Sequence, residues 1–219
     1  ADGAVVCAWF MPHDQPLATM VISYGNASSM AEELDTARLL HRLGYAVMLF
    51  DYPGYGRSTG SPSERSFYNA AEAVWQNLTE TRGLSPAQIV LFGRSIGGAV
   101  VIELASRHEP GALIAESTFT SLVEVGQREY PLLPIGLLAR HRFSSIEKAP
   151  RITCPKLFLH GEDDTLVPIA MARRLYDAAA DPKQFIATPG GHNSAGFEFD
   201  RNTTNTVAAW LRDVLDAHR

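Results

Sequence analysis

The strongest constraint on how this chain can fold is an alternation. Short apolar runs rich in β-branched residues fall at 5–11, 19–24, 46–50, 88–92, 112–115, 156–159 and 184–187. Several are apolar on both faces, as strands buried inside a parallel sheet are. Stretches of helical period separate them. Phe67, Ala70, Ala71, Val74, Trp75 and Leu78 share one helical face, and Val207, Trp210, Leu211, Val214 and Leu215 share another. Ser61-Pro62-Ser63-Glu64 reads as a capping box with proline in the first helical position, and Gly83 as the stop of that helix. Strand–helix alternation of this kind predicts a mostly parallel sheet with helices on both faces. With 219 residues and no repeat or linker, residues 1–219 are expected to form one domain.

Composition removes several functional classes. A net charge of −5 argues against a nucleic-acid partner, which selects for a basic face. No apolar run approaches the ~18 residues of a transmembrane helix; the richest stretch, 130–139, is cut by Pro131 and Pro134. Cys7 and Cys154 lie far apart and form no metal-binding pair, so both read as free thiols. Glycosylation triplets at Asn26, Asn77 and Asn202 are common enough to arise by chance. The first residue is Ala1, and the expectation is that a signal or anchor segment was trimmed ahead of it. A cytoplasmic location is otherwise favoured, and the oligomeric state is left open.

One motif points to chemistry, and it occurs twice: Gly56-Arg57-Ser58-Thr59-Gly60 and Gly93-Arg94-Ser95-Ile96-Gly97. Gly-x-Ser-x-Gly works as a nucleophile turn only between a strand and a helix, where the turn lifts the serine above the sheet and aims a helix N-terminus at the reacting carbonyl. Ser95 has that context, with Ile89-Val90-Leu91-Phe92 before it and a helical run from Gly98 after it. Ser58 sits between Pro53-Gly54 and Ser61-Pro62, in a loop.

A serine hydroxyl needs a base to take its proton, and the base needs a carboxylate to orient it. In the order serine, acid, histidine, the late histidines are His160, His192 and His218. His160 ends a strand and precedes the acids, which suits a structural role. His218 lies on the terminal helix. His192 follows Pro189-Gly190-Gly191 just past the last strand, where a base can lean over the sheet edge. Glu162, Asp163 and Asp164 compete for the acid in the preceding loop, with Glu116 at the end of an earlier strand as a fourth candidate.

These residues together resemble the α/β-hydrolase superfamily, most nearly its small serine hydrolases that lack a large lid. The likeness runs from Tyr24-Gly25-Asn26 through Asp51-Tyr52-Pro53-Gly54-Tyr55-Gly56 and the Ser95 turn to Gly191-His192. It implies Asp164 as the acid, because Val167 and Pro168 fall in the family's register. It implies an oxyanion hole from the backbone N–H groups of Ile96 and Asn26. The family's first strand is missing. The usual histidine before the oxyanion glycine is replaced by Tyr24, which resembles the tyrosine of prolyl-oligopeptidase-type peptidases; it is either a third oxyanion donor or a residue packed at the strand end.

The expected activity is hydrolysis of carboxylic esters of short to medium acyl chains through an acyl-enzyme, with no metal or cofactor. The partner is then a small-molecule or lipid acyl substrate. A lipase or thioesterase on longer acyl groups is the runner-up, a serine peptidase is third, and a hydrolase-fold scaffold is the non-enzymatic alternative. Residues 119–150 occupy the place of a lid. Their Phe119, Leu122, Tyr130, Leu132, Leu133, Ile135, Leu137 and Leu138 either line an acyl pocket or pack a helix onto the sheet.

Overall fold

The computed structural model describes residues 3–217, so His218 and the start of the chain lie outside the described residues. Seven strands form one sheet: β1 (Ala8–Met11), β2 (Thr19–Ser23), β3 (Ala46–Phe50), β4 (Ile89–Arg94), β5 (Ala112–Glu116), β6 (Lys156–Gly161) and β7 (Lys183–Thr188). Their order is β1-β3-β2-β4-β5-β6-β7; β1 runs antiparallel to β3, and every other neighbouring pair is parallel. The helices are α1 (Leu34–Arg42), α2 (Glu64–Gln76), α3 (Ile96–Ala105), α4 (Leu122–Glu129), the single turn α5 (Ile135–Leu138), α6 (Ile169–Ala178) and α7 (Arg201–Asp216). Every residue of β2, β3, β5 and β6 is buried, because helices cover both faces of the sheet.

All seven apolar runs become strands. The first is shorter than expected. Its residues before Ala8 bond instead to the 51–63 loop, with Val5 N–H donating to Thr59 Oγ1 and Cys7 N–H to Ser58 Oγ. The helix cap also moves. Ser63, not Ser61, caps α2, and its box partner is Ser66, not Glu64: Ser66 N–H donates to Ser63 Oγ at 3.0 Å, and Ser63 N–H to Ser66 Oγ at 2.9 Å. Glu64 is drawn off to accept from the Tyr68 hydroxyl and the Arg142 backbone.

This topology fixes where a site can form. From β2 the chain crosses to β3 on one side, and the later strands add on the other, so the order reverses between β2 and β4. In open parallel sheets a crevice forms at such a reversal, outside the carboxyl ends of the strands. Gly25-Asn26 follows β2 there and Ser95 follows β4.

Candidate active site

Ser95 stands between β4 and α3 with φ 55° and ψ −120°, a conformation that costs a non-glycine residue about 1–3 kcal/mol. Its neighbours hold it there. Ser95 N–H donates to the Glu116 carbonyl at 2.9 Å, and its own carbonyl accepts from Gly98 N–H at 3.0 Å and Thr118 Oγ1 at 2.7 Å. The flanking glycines are steric necessities. A Cβ on Gly97 would lie 1.9 Å from the Ser23 carbonyl oxygen, and one on Gly93 would lie 2.4 Å from the Gly97 oxygen. The first turn of α3 can therefore pack against the ends of β2 and β4 only with glycine at both positions.

Asp164 and His192 come from adjacent loops after β6 and β7. Two backbone bonds stitch those loops together, Glu162 N–H to the Thr188 carbonyl (2.9 Å) and Asp163 N–H to the Gly190 carbonyl (3.1 Å). Gly161 permits the approach, since a Cβ there would meet Gly190 O at 2.3 Å. His192 Nδ1 lies 2.8 Å from Asp164 Oδ2, and His192 Nε2 lies 3.0 Å from Ser95 Oγ. Asp164 Oδ1 also accepts the N–H groups of Leu166 (3.0 Å) and Val167 (2.8 Å). Burial works to raise the Asp164 pKa, but hydrogen bonds from His160, His192 and Val167 outweigh it and hold the carboxyl well below the usual range. Asp163 and Glu162 are exposed. His160 is buried, with Nε2 2.7 Å from the Val167 carbonyl and 3.3 Å from Asp164 Oδ2, so it braces the acid's loop.

Gly25, Asn26, Ser95 and His192 line one cavity of about 500 Å³, whose walls also include Glu33 and Arg94. Ile96 opens α3, so its N–H belongs to the first turn, where no intrahelical acceptor exists. Tyr24 is fully buried and donates its hydroxyl proton to Asp51 Oδ1 at 2.9 Å; burial and the Asp51 carboxylate raise its pKa. Of its two expected roles, this geometry is the packed one, because the proton an oxyanion would need is held by Asp51. Ser58 is likewise engaged, donating to the Asp51 carbonyl (2.7 Å) and accepting from Cys7 N–H (2.8 Å). None of the apolar residues expected to form an acyl pocket lines the cavity. Phe119 is core, whereas Leu132 and Leu137 are almost fully exposed.

The model for the family described as serine aminopeptidase, S33, matches residues 14–140, more than half of the chain. The chain belongs to this family of α/β hydrolases. An uncharacterized protein of Mycobacterium tuberculosis is 39% identical over 216 residues, covering 97% of this chain and 77% of its own. Among solved structures, the Pyrococcus furiosus esterase Pf2001 matches with a TM-score of 0.80 at 20% identity, over 98% of this chain and 89% of its own. A monoacylglycerol lipase of Paleococcus ferrophilus matches with a TM-score of 0.74 at 21% identity, over 96% and 99%. Among the described residues of this α/β hydrolase, no large cap stands over the sheet.

Two features of this hydrolase's site are not apparent in the sequence. The first is Asp51, buried behind the β2 loop. Its Oδ1 accepts from the Tyr24 hydroxyl and from Met30 N–H, its Oδ2 accepts from Arg57 N–H, and so one carboxylate ties the loop after β2 to the loop after β3. The second is Arg94, which precedes Ser95 in the chain. It is ion-paired with Glu116 and Glu198, with Glu33 at 3.7 Å. Glu116, the fourth candidate acid, thus belongs to Arg94 rather than to a histidine. Burial tends to lower the Arg94 pKa, but the three carboxylates raise it on balance; burial raises Glu33 and Glu198 against the pull of Arg94. Glu33 Oε2 and Glu198 Oε2 are buried with no hydrogen-bond partner among the described residues.

Proposed function

We propose that the protein is a serine hydrolase that cleaves carboxylic esters of short to medium acyl chains through an acyl-enzyme. The observation that carries the reading is the unbroken hydrogen-bonded line from Asp164 through His192 to Ser95, at 2.8 and 3.0 Å. In this reading Ser95 Oγ attacks the acyl carbonyl carbon while His192 Nε2 takes its proton. Asp164 fixes the ring with Nδ1 protonated and stabilises the imidazolium that forms. The backbone N–H groups of Ile96 and Asn26 receive the oxyanion, an arrangement in which a single donor is worth about 3 kcal/mol. His192 then gives the proton to the departing alkoxide, and the C–O bond to the alcohol breaks. Water repeats the sequence on acyl-Ser95 and releases the acid.

The cavity favours the short end of the acyl range, because its walls are polar and the leucines of 132–138 stay outside it. Glu33 on that wall, together with the family's description, supports a second reading: hydrolysis of an amide beside a free amino group. Lipid or thioester substrates remain a third, in keeping with what the Paleococcus neighbour is named for. The discriminating experiment compares nitrophenyl esters of increasing chain length with aminoacyl nitroanilides, using wild type and Ser95→Ala. Turnover falling with chain length and absent from Ser95→Ala supports the esterase reading. Turnover of the nitroanilides alone would replace it with the second.

A further inference from the structure

Residues 128–142 leave a side of the molecule unexplained. The segment leaves the end of α4 and returns to its start, where Leu122 N–H donates to the Arg142 carbonyl and Arg142 N–H donates to Glu64 at the start of α2. It is well ordered by its own bonds. Tyr130 N–H donates to the Gly126 carbonyl, Leu133 N–H to Tyr130, and Leu138 N–H to Pro134. The Gln127 side chain ties both ends, reaching the Pro131 carbonyl and Ile135 N–H. Ile135 faces inward; a Cβ on Gly126 would stand only 3.1 Å from its Cγ2, so α5 is pressed onto α4. Four of the other large side chains point mainly to solvent, Leu132 96% exposed, Leu137 88%, Leu138 62% and Tyr130 61%, and Leu133 is half-exposed beside them. Single exposed leucines are ordinary, but four large apolar side chains on one turn are a contact surface.

Charge distinguishes among the kinds of contact. Arg128, Arg140 and Arg142 bracket the apolar turn, all are exposed, and none of their guanidiniums is ion-paired among the described residues, although the Arg142 backbone N–H donates to Glu64. Only Glu129 opposes them within the segment, in a chain whose net charge is −5. An apolar turn rimmed by unpaired arginines matches the boundary between acyl chains and anionic headgroups, where leucines enter the acyl layer and guanidiniums meet phosphates. We propose that residues 130–138, with Arg128, Arg140 and Arg142, form a docking surface for an anionic lipid bilayer. No helix among the described residues is long and apolar enough to cross a membrane, so the contact is interfacial.

The test is co-sedimentation with vesicles of phosphatidylcholine alone and of phosphatidylcholine mixed with phosphatidylglycerol. Wild type is expected to bind the mixed vesicles and to be released by salt. Leu132→Ser/Leu137→Ser should lower the partition by on the order of tenfold or more, since it removes the two most exposed apolar anchors. Replacing the three arginines by Gln should remove the anionic preference, at about fivefold per charge. Melting curves check that both variants stay folded. Ser95→Ala should bind as wild type does, which separates docking from the proposed chemistry. Failure of wild type to sediment with the mixed vesicles, or undiminished binding by either variant, overturns the proposal. A dimer in sedimentation velocity that the leucine variant abolishes, with no vesicle binding, would overturn it and assign the surface to a second copy.

Discussion

Replacing Asp164 by Asn tests the acid's role with almost no change of shape. In the wild type, Oδ1 accepts from Leu166 and Val167 N–H, and Oδ2 faces His192 Nδ1 at 2.8 Å. An asparagine can keep its carbonyl on the two backbone donors, which leaves its NH₂ facing His192. Nδ1 must then accept, the ring proton moves to Nε2, and a donor rather than a base points at Ser95 Oγ 3.0 Å away. The same exchange of tautomer elsewhere lowers kcat by about 10⁴-fold, and a loss of that order is expected here. Stability should change with a distinct pH signature. The folded Asp164 pKa lies below its unfolded value of about 3.9. Its contribution is therefore fully present above that value and is lost as pH falls through the folded pKa. Asp164→Asn should lower stability at neutral pH and flatten the acid limb of the stability curve. Steady-state ester hydrolysis and urea melts across the acid range provide both readouts, with Asp163→Asn, on an exposed side chain, as the mild control. If Asp164→Asn kept its rate within about tenfold, the assignment would be refuted.

Three further substitutions probe the scaffold. Gly97→Ala places a Cβ 1.9 Å from the Ser23 backbone oxygen, which cannot swing aside as a side chain could, and should cost about 3 kcal/mol or more in a urea melt. Tyr24→Phe removes one hydrogen bond to Asp51; about 1 kcal/mol of stability should go, while kcat stays within about twofold, and a tenfold fall in kcat would restore the oxyanion role. Arg94→Met strands Glu116, Glu198 and Glu33 without their cation and should cost about 3–5 kcal/mol at neutral pH. Carboxyls with raised folded pKa values favour the native state more as they protonate, so stability should partly return on acidification; a loss equal at all pH values would argue against this.

What could be read beforehand follows from how local each signal is. The inner strands were legible because a strand buried on both faces must be apolar throughout, as Val21 and Leu91 are. Ser95 was legible because a strand, two glycines and a helix around it are adjacent in the chain. The Arg94 cluster was not, because Glu33, Glu116 and Glu198 are distant in sequence and each alone looks like a surface acid. The cap of α2 shifted because Ser61 and Ser63 look alike locally, and only the Ser63–Ser66 pair closes the bonds. The 130–138 turn misled for a different reason. Apolarity shows that a side chain gains from leaving water, but not whether the fold supplies a neighbour to cover Leu132 or Leu137.

Covalent labelling identifies the side chain that attacks the acyl carbon. The protein is reacted with a fluorophosphonate, and the modified peptide is located by mass spectrometry. One phosphonyl group on Ser95, absent from Ser95→Ala and accumulating as esterase activity falls, is the expected result. A label on Ser58, or an esterase that stays active and unlabelled, would contradict it.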